Sequence, residues 1–452
     1  MPQRFDQVSA VLLCGGRSER LGFPKEMLRV DGAPLAVQML RRLKGLFEDV
    51  ALSTNHPAYL RHLVDVPVLA DEQPDAGPMA GIVAGLKASG GERVFFLACD
   101  MPTVQNDLVA ALVHKALHSS AQAVCARASG VIQPLCAVYS TSLLPLLERT
   151  LSSQGSRSVT AFLQGVETDC VEAPPLPDVD TPPDLHVLKQ VFSDVEPLPV
   201  RALPVRRLGA PDVGHDLAAE EWPVAVYANG VQLATVLCLP AAVRELAIGF
   251  AAYLGLVERR EQVRAAQVDY GARRASLQLD VEDHRIRNAV RLLVASTCGA
   301  NLYGPPLPEL PKEAKEELRV SRSHLLECLQ SLRQMAPVFE RTGCTHQAAY
   351  SDGQRISIFY EDIGRHNALD KVVGDALAAG VDTTRGVLLT TGRLNAEVVV
   401  KAVRQRVPVL ASRSAATTHA VLLAERYGLT LAGFARNDRV NLYSWPERVL
   451  DA

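Results

Sequence analysis

The chain has 452 residues, 48% hydrophobic, 21% charged and 5% aromatic, with 47 Lys and Arg against 50 Asp and Glu. That length is more than one hydrophobic core sustains, so at least two domains are expected, and the mixture is neither disordered nor collagenous. A net charge of −3 excludes a strongly basic nucleic-acid footprint at whole-chain level.

The elements are read in chain order. VSAVLL is a short apolar run that ends at Gly15-Gly16. PLAVQMLRRLKGLF sets Ala36, Leu40, Leu43 and Phe47 at helical spacing, with Pro34 suited to the first turn. VALSTN and RVFFLACD read as further strands and DLVAALVHKALH as another amphipathic helix. Strands alternating with helices predict an α/β domain with a mostly parallel sheet covered on both faces. Nine prolines then fall in the 38 residues from Pro174 to Pro211. Proline fixes φ and removes a donor, so this density marks a seam. The expected domains are residues 1–193 and 216–452, with a linker over 194–215. A second proline cluster, GPPLPELPKEAKEEL, breaks the later half near residue 307.

After the seam, VAVYANGVQLATV carries Asn229-Gly230 between alternating residues, which predicts a hairpin. GVLLTTG, NAEVVVKAVRQR, VPVLASRS, THAVLLAERY and LTLAGFARND then read as β-α-β-α-β. The nine cysteines are scattered, with no Cys-x-x-Cys pair. Secreted scaffolds use dense, even sets, so a reducing compartment is expected. The opening MPQRFDQVSAVLLCGG lacks the parts of a signal peptide, and no run reaches the roughly 18–20 apolar residues of a membrane span. The expectation is a cytoplasmic protein with no membrane partner and no nucleic-acid partner.

The first chemical constellation is LLCGGRSERLGFPK. Two glycines let the backbone approach a phosphate, and a following helix N-terminus would add amide donors. Arg17, Arg20 and Lys25 add three cations suited to a polyphosphate. No Gly-Lys-Ser/Thr or Gly-x-Gly-x-x-Gly occurs here, and a plain βα turn with solvated charges is the other reading. Asp100 ends the strand RVFFLACD. Open parallel sheets bind ligands beyond the carboxyl ends of their strands, so Asp100 and the glycine loop share an edge. A carboxylate there suits Mg²⁺; a helix N-cap is the alternative. Asp71 lies in LADEQPDAGPMAGI, where Gly77 and Gly81 allow a flat base to approach; a plain turn aspartate is the other reading.

These segments, with IQPLCAVY and DVDTPPDL, resemble the molybdenum cofactor guanylyltransferase (MobA-like) family over about residues 5–192. The resemblance implies a Rossmann-like nucleotidyltransferase domain that transfers GMP from Mg-GTP to molybdopterin and releases pyrophosphate. It implies that Leu12, Leu13, Cys14, Gly15 and Gly16 hold the nucleotide, Lys25 the phosphates, Asn55 and Asp71 the nucleoside, and Asp100 the Mg²⁺. Lys25 and Arg20 would offset charge on the leaving pyrophosphate. Gly15-Gly16 favours guanine, since cytidylyltransferase relatives usually carry Ala-Gly or Ala-Ala there. Cys14 replaces the usual alanine and reads as a small packing residue.

The second constellation is spread along the later half. Thr390-Thr391-Gly392-Arg393, Ser412-Arg413-Ser414 and Phe434 to Arg439 each follow a predicted strand. Arginine beside small residues on three converging loops suits a phosphate-rich ligand, whereas a single such loop could simply cap its neighbours. FYEDIGRHNALDKVVGDAL packs Glu361, Asp362, Arg365, His366, Asn367, Asp370 and Lys371 before an apolar helix face, either as a functional cluster or as an elaborate helix entry with Asn367 as cap. LLVASTCGANLYG sets Cys298 in a glycine-flanked loop.

AVYANGVQLATV, ELAIGF, ASTCGANLYG, RTGCTHQAAY, EDIGRHNALDKVVG, TTGRLNAEVVVKA, ASRSAATTHAVLLAE and GLTLAGFARNDRVNLY resemble the formate dehydrogenase accessory sulfurtransferase (FdhD-like) family over about residues 216–445. The resemblance implies an α/β core of cytidine-deaminase type, preceded here by the hairpin, without the deaminase zinc signature. It implies sulfur transfer from a cysteine desulfurase, through a Cys298 persulfide, to the molybdenum guanine dinucleotide cofactor destined for formate dehydrogenase. The cofactor loop maps to Phe434, Ala435, Arg436, Asn437, Asp438 and Arg439. Three positions depart from the family: Asn301 stands where a second cysteine is common, Leu254 where glutamate is usual, and Cys344 where glycine is usual. Cys344 is the candidate to supply the missing thiol. The expected ligands and partners are Mg²⁺, GTP, molybdopterin, a cysteine desulfurase and formate dehydrogenase, with a second copy of the chain as a further candidate. Three other readings stay open: CTP or another acceptor for the first half, a cofactor chaperone for the second, and zinc on Cys298, Cys328, Cys344 and His346.

Overall fold

A computed structural model describes residues 4–16, 18–70, 77–152, 157–208, 213–296, 307–308 and 318–451. The chain divides into two compact units, Met1–Glu196 and Pro197–Ala452. No helix among the described residues is long and apolar enough to cross a membrane.

The first unit is a seven-stranded sheet. Its strands run in the order Val68–Ala70, Val50–Thr54, Val8–Cys14, Arg93–Ala98, Val131–Ser140, Ala123–Ala128 and Thr168–Ala173. The first four are mutually parallel; Val131–Ser140 runs antiparallel to both of its neighbours. Val8–Cys14 sits centrally and is almost wholly buried, as expected for an apolar run between two parallel partners. The helix Leu35–Leu46 turns Leu35, Ala36, Met39, Leu40 and Leu43 inward, which is the spacing read from its sequence.

The second unit holds two main sheets. Trp222–Ala228 and Val231–Cys238 form the predicted hairpin, and both Asn229 (φ 47°) and Gly230 (φ 82°) take the left-handed conformations that such a two-residue turn needs. Arg274–Leu279 and Val263–Asp269 complete this four-stranded sheet. The six-stranded sheet has the order Ile356–Asp362, His346–Ser351, Val387–Thr390, Val409–Ser412, Thr430–Arg436, Arg439–Ser444. Its three middle-to-late strands, beginning at Val387, Val409 and Thr430, are parallel, as the β-α-β-α-β reading required. Helices Val243–Tyr253 and Arg365–Ala379 cross in close contact at Gly249 and Gly374.

The proline-rich segment differs from the plain linker expected over 194–215. Val30 bridges to Val195, and Asp31 N–H donates to the Asp194 carbonyl, so the segment starts attached to the first unit. Val200–Arg206 then pairs antiparallel with Val213–Ala219. Pro204 sits within that pair on an isolated two-stranded ribbon, where proline is tolerated because each strand has a free edge.

Candidate functional site

In the first unit, the carboxyl ends of Val8–Cys14, Val50–Thr54 and Arg93–Ala98 share one edge because the three strands are parallel and in register. Gly15, Asn55 and Asp100 emerge there. A cavity of about 310 Å³ opens at this edge, lined among others by Leu13, Cys14, Gly15, Gly16, Lys25, Asn55 and Asp100. Leu12 is fully buried, and the lining begins with Leu13. A Cβ on Gly15 would lie 3.1 Å from Asn55 Nδ2, so glycine is what lets Asn55 reach the loop. Asn55 Nδ2 donates to the Gly15 carbonyl at 2.7 Å.

Lys25 Nζ donates to Asp100 Oδ2 at 2.8 Å and to the carboxylate of Asp180, which Arg20 also engages. Burial works against the Lys25 charge, but Asp100 and then Asp180 outweigh it and raise its pKa above the usual lysine value. The Lys25 hydrogen bond, helped by Arg20, holds Asp180 below the usual carboxylate range. Burial, then Asp100 and Asp180, push Asp178 up to about 6. The sequence reading missed Asp178 and Asp180, although both lie in DVDTPPDL. Asp100 is not a helix cap: the next helix is Asn106–His118 with Gln105 at its N-cap. Burial and the neighbouring Cys99 push the Cys14 thiol well up, which suits packing rather than nucleophilic chemistry. Asp100 and Asp180 are hard oxygen donors beside a phosphate-sized pocket, a set that fits Mg²⁺. No group of three His, Cys, Asp or Glu able to hold a metal occurs among the described residues, so phosphate and water would complete the shell. Arg17 and Asp71 lie outside the described residues.

In the second unit, His346 pairs with Asp362 and Ala348 with Thr390. The start of His346–Ser351 therefore shares an edge with the ends of the strands that finish at Asp362, Thr390, Ser412 and Arg436. Hydrogen bonds chain these loops together. Ser412 Oγ donates to the Gly392 carbonyl at 2.6 Å, Ser414 N–H to Ser412 Oγ at 3.0 Å, and Phe434 N–H to the Ser414 carbonyl at 2.9 Å. A Cβ on Gly392 would lie 2.7 Å from Arg365 Cβ, so glycine admits Arg365 to the edge.

Asp362 fixes the helix start that carries Arg365 and His366. Its carboxylate accepts from Leu239 N–H, Gly364 N–H, Asn367 Nδ2 and, at 2.6 Å, Lys371 Nζ. Asp362 and Lys371 are almost completely buried, so each needs the other to avoid an uncompensated charge. Asn367, in the first helical turn, thus ties the helix start to Asp362 rather than capping it; the N-cap is Gly364. Burial, then Lys401 and Arg365, push His366 down to about 3, and burial with Arg365 and Arg393 lowers His346. Both rings are therefore neutral at neutral pH. His366 Nε2 lies 3.2 Å from Glu397 Oε2, while its buried Nδ1 has no partner among the described residues.

The expected cofactor loop proves to be a hairpin. Phe434, Ala435 and Arg436 end one strand, Arg439 opens the next, Arg436 pairs with Arg439, and only Asn437 and Asp438 form the turn. Phe434, Asn437 and Asp438 have φ of 51°, 50° and 61°, strained values for residues with side chains. Arg436 and Arg439 stand 6.0 and 5.0 Å from the Phe434 ring. Cys298 and Asn301 lie outside the described residues. Cys344 is exposed, and its thiol donates to the Thr342 carbonyl at 3.2 Å. Leu254 is buried in the core under the four-stranded sheet, where a glutamate would need a partner. Among the described residues, Cys328 does not join Cys344 and His346 in the expected zinc set. Cys328 is 3.4 Å from His324, which in turn touches Ser351, at the far end of the strand from His346. That separation is about 17 Å.

A sequence model of the FdhD/NarQ family matches residues 219–450, and one of the MobA-like NTP transferase domain matches residues 10–168. A sulfur carrier protein FdhD from Staphylococcus aureus is 33% identical over 241 residues, spanning 52% of this chain and 91% of that protein. Among solved structures, a putative formate dehydrogenase accessory protein from Desulfotalea psychrophila is 25% identical over 56% of this chain and 98% of its own, with a TM-score of 0.46. A molybdopterin-guanine dinucleotide biosynthesis protein A from Archaeoglobus fulgidus is 22% identical over 41% and 97%, with a TM-score of 0.35.

Proposed function

The chain belongs to the FdhD/NarQ family and carries a MobA-like NTP transferase domain ahead of it, and from that premise we propose that it acts twice on one molybdenum cofactor. Residues 1–193 transfer GMP from GTP to molybdopterin, and residues 216–452 carry sulfur to the resulting dinucleotide before formate dehydrogenase receives it. Fusion then raises the local concentration of a product that is also the next ligand.

For the transferase, the supporting observation is Lys25 held by Asp100 and Asp180 at the mouth of the glycine-loop cavity. The Gly15-Gly16 backbone and Asn55 seat the nucleoside end. Lys25 and Arg20 face the phosphates and offset charge that builds as pyrophosphate leaves. Mg²⁺, when bound by Asp100 and Asp180, supplies Lewis-acid stabilisation of that same charge. Molybdopterin phosphate attacks the α-phosphorus, and the bond to pyrophosphate breaks. Incubating the purified chain with molybdopterin, Mg²⁺ and either GTP or CTP tests this. GTP-dependent pyrophosphate release is expected, and preference for CTP would overturn the guanine assignment.

For the sulfur step, the supporting observation is the hydrogen-bonded chain from Gly392 through Ser412 and Ser414 to Phe434, which gathers Arg365, Arg393 and Arg436 at one edge. Cys298 takes sulfane sulfur from a desulfurase as a persulfide and yields it to the cofactor on that edge. Asn301, in the place of a second cysteine, favours an alternative in which this half only cradles the cofactor. Exposure to a desulfurase with ³⁵S-cysteine separates the two: label on Cys298 supports the carrier, and an unlabelled chain supports the cradle.

A further inference from the structure

Asp184 closes the segment DVDTPPDL and does more there than cap a helix. Its Oδ2 accepts three hydrogen bonds: from Thr181 N–H at 2.7 Å, from the Thr181 hydroxyl at 2.7 Å and from Asp180 N–H at 3.1 Å. The bond from Thr181 N–H belongs to a capping box around Pro182–Asp184. The bond from Asp180 N–H lies outside that motif, because a box ties only the N–H of the cap residue itself.

Asp184 is itself anchored. The short helix Leu185–Leu188 that follows it buries Val187 and Leu188. On the other side, Val179 is fully buried and its N–H donates to the Asp100 carbonyl at 3.1 Å. Pro182 and Pro183 fix φ at the two positions between Thr181 and Asp184. The Asp180 backbone is thus held from both sides, directly by Asp184 and through its neighbour Val179 by Asp100. Its carboxylate meets Lys25 and Arg20, and the same Lys25 Nζ lies 2.8 Å from Asp100 Oδ2. Mg²⁺ keeps near-ideal octahedral geometry at about 2.0–2.1 Å, so it tolerates little displacement of a ligand oxygen. Groups that orient such ligands from behind matter accordingly.

We propose that Asp184 is a positioning residue of the nucleotidyl-transfer pocket: by accepting from the Asp180 and Thr181 amides, it sets the Asp180 carboxylate where Lys25, Arg20 and a divalent cation meet it. The proposal rests on the reading of this pocket as a metal-nucleotide site. It adds a residue that touches neither metal nor nucleotide and acts only through Asp180. The hydrogen-bond acceptor is what the role requires; the negative charge of Asp184 is not.

The test uses the full chain with GTP and Mn²⁺, whose free form gives an EPR signal that binding removes. The binding read is the part that Asp100→Ala abolishes. Asp184→Ala should weaken it by about tenfold or more, the usual effect of removing a group that orients a metal ligand. Asp184→Asn should stay within about threefold of the unaltered chain, because an amide oxygen accepts the same bonds without the charge. Asp180→Ala combined with Asp184→Ala should bind no more than about twofold more weakly than Asp180→Ala alone, since the two act as one unit. Normal Mn²⁺ binding by Asp184→Ala, losses that add in the double variant, or an equal fall for Asp184→Asn and Asp184→Ala would each overturn the positioning role alone. Absence of any Mn²⁺ binding that Asp100→Ala removes would overturn the metal reading of the pocket, and the proposal with it. Melting temperatures separate lost contacts from lost fold. If Asp184→Ala melts early, Asp184→Glu takes its place: glutamate keeps the charge and the capping box but carries its oxygen one methylene further out. It should bind Mn²⁺ more weakly than Asp184→Asn, and the reverse order would overturn the role.

Discussion

Lys25 holds two carboxylates at once, Asp100 at 2.8 Å and Asp180 beside it. The ammonium thus balances the charges that Mg²⁺ would otherwise meet. Asp100→Ala should keep the fold, because its side chain is 27% exposed and packs little apolar surface. Nucleotidyl transfer should fall by about 10²–10³-fold, the usual cost of losing one element of transition-state charge stabilisation. Initial rates of pyrophosphate release against Mg²⁺ concentration, alongside a melting curve, check this. Near-normal turnover would remove Asp100 from the metal site.

Gly374 makes a stability prediction that needs no ligand. A Cβ there would lie 1.8 Å from the Glu245 carbonyl oxygen, and one on Gly249 would lie 1.9 Å from that of Asp370. Both obstacles are backbone, so neither helix can yield by rotating a side chain. Gly374→Ala should destabilise by about 3 kcal/mol or more, which overpacking of this severity reaches. In a unit of this size that is a fall in melting temperature of roughly 6–12 °C. An unchanged melting curve would show that the helices can separate without cost.

The parts legible from sequence were those that local pattern dictates. Alternating strands and helices placed the Gly15 loop and Asp100 on one edge, Asn55 followed from the family resemblance, and Asn229-Gly230 marked its hairpin. What escaped depends on closure over long separations. Asp180 reaches Lys25 across 155 residues, and nothing in DVDTPPDL alone says which aspartate turns inward. The helix Arg322–Gln334 is an ordinary amphipathic segment in sequence, and only the folded chain shows that it packs on Thr430–Arg436. Proline density suggested plain linker over 194–215, but an isolated ribbon tolerates Pro204 where a central strand would not.

Glu361 makes a prediction about pH. Its carboxylate accepts from Val338 N–H, Phe339 N–H and the Thr345 hydroxyl, yet burial dominates and pushes it up to about 7 from an ordinary 4.5. Between those two values the folded chain binds more protons at this site than the unfolded chain does. Stability contributed by Glu361 should therefore fall as pH rises from about 4.5 to 7, by at most about 3 kcal/mol. Burial pushes Asp370 the same way, so the comparison must be with Glu361→Gln, which should lose only its own part of the slope. Melting temperatures from pH 5 to 8 provide the test. Parallel profiles for the two proteins would show that Glu361 does not titrate there.

Cys344 allows the sulfur path to be followed chemically. It is the exposed cysteine among those described, while Cys14, Cys99, Cys125, Cys136, Cys238 and Cys328 are buried. Burial also pushes the Cys125, Cys136 and Cys238 thiols up to about 12 and Cys328 to about 11, so these carry little thiolate. Brief alkylation of the native chain should accordingly mark Cys344 well before any of them. Cys344 also stands two residues before His346, at the edge that gathers Arg365 and Arg393. If it replaces the thiol absent at Asn301, its thiolate attacks the outer sulfur of a Cys298 persulfide, the S–S bond breaks, and Cys298 leaves as thiolate. Mass spectrometry after sulfur loading should then find persulfide on both cysteines in the unaltered chain. Cys344→Ala should trap it on Cys298 and slow delivery to the cofactor, and Cys298→Ala should leave both positions bare. Unchanged delivery by Cys344→Ala would mean that Cys298 passes its sulfur directly.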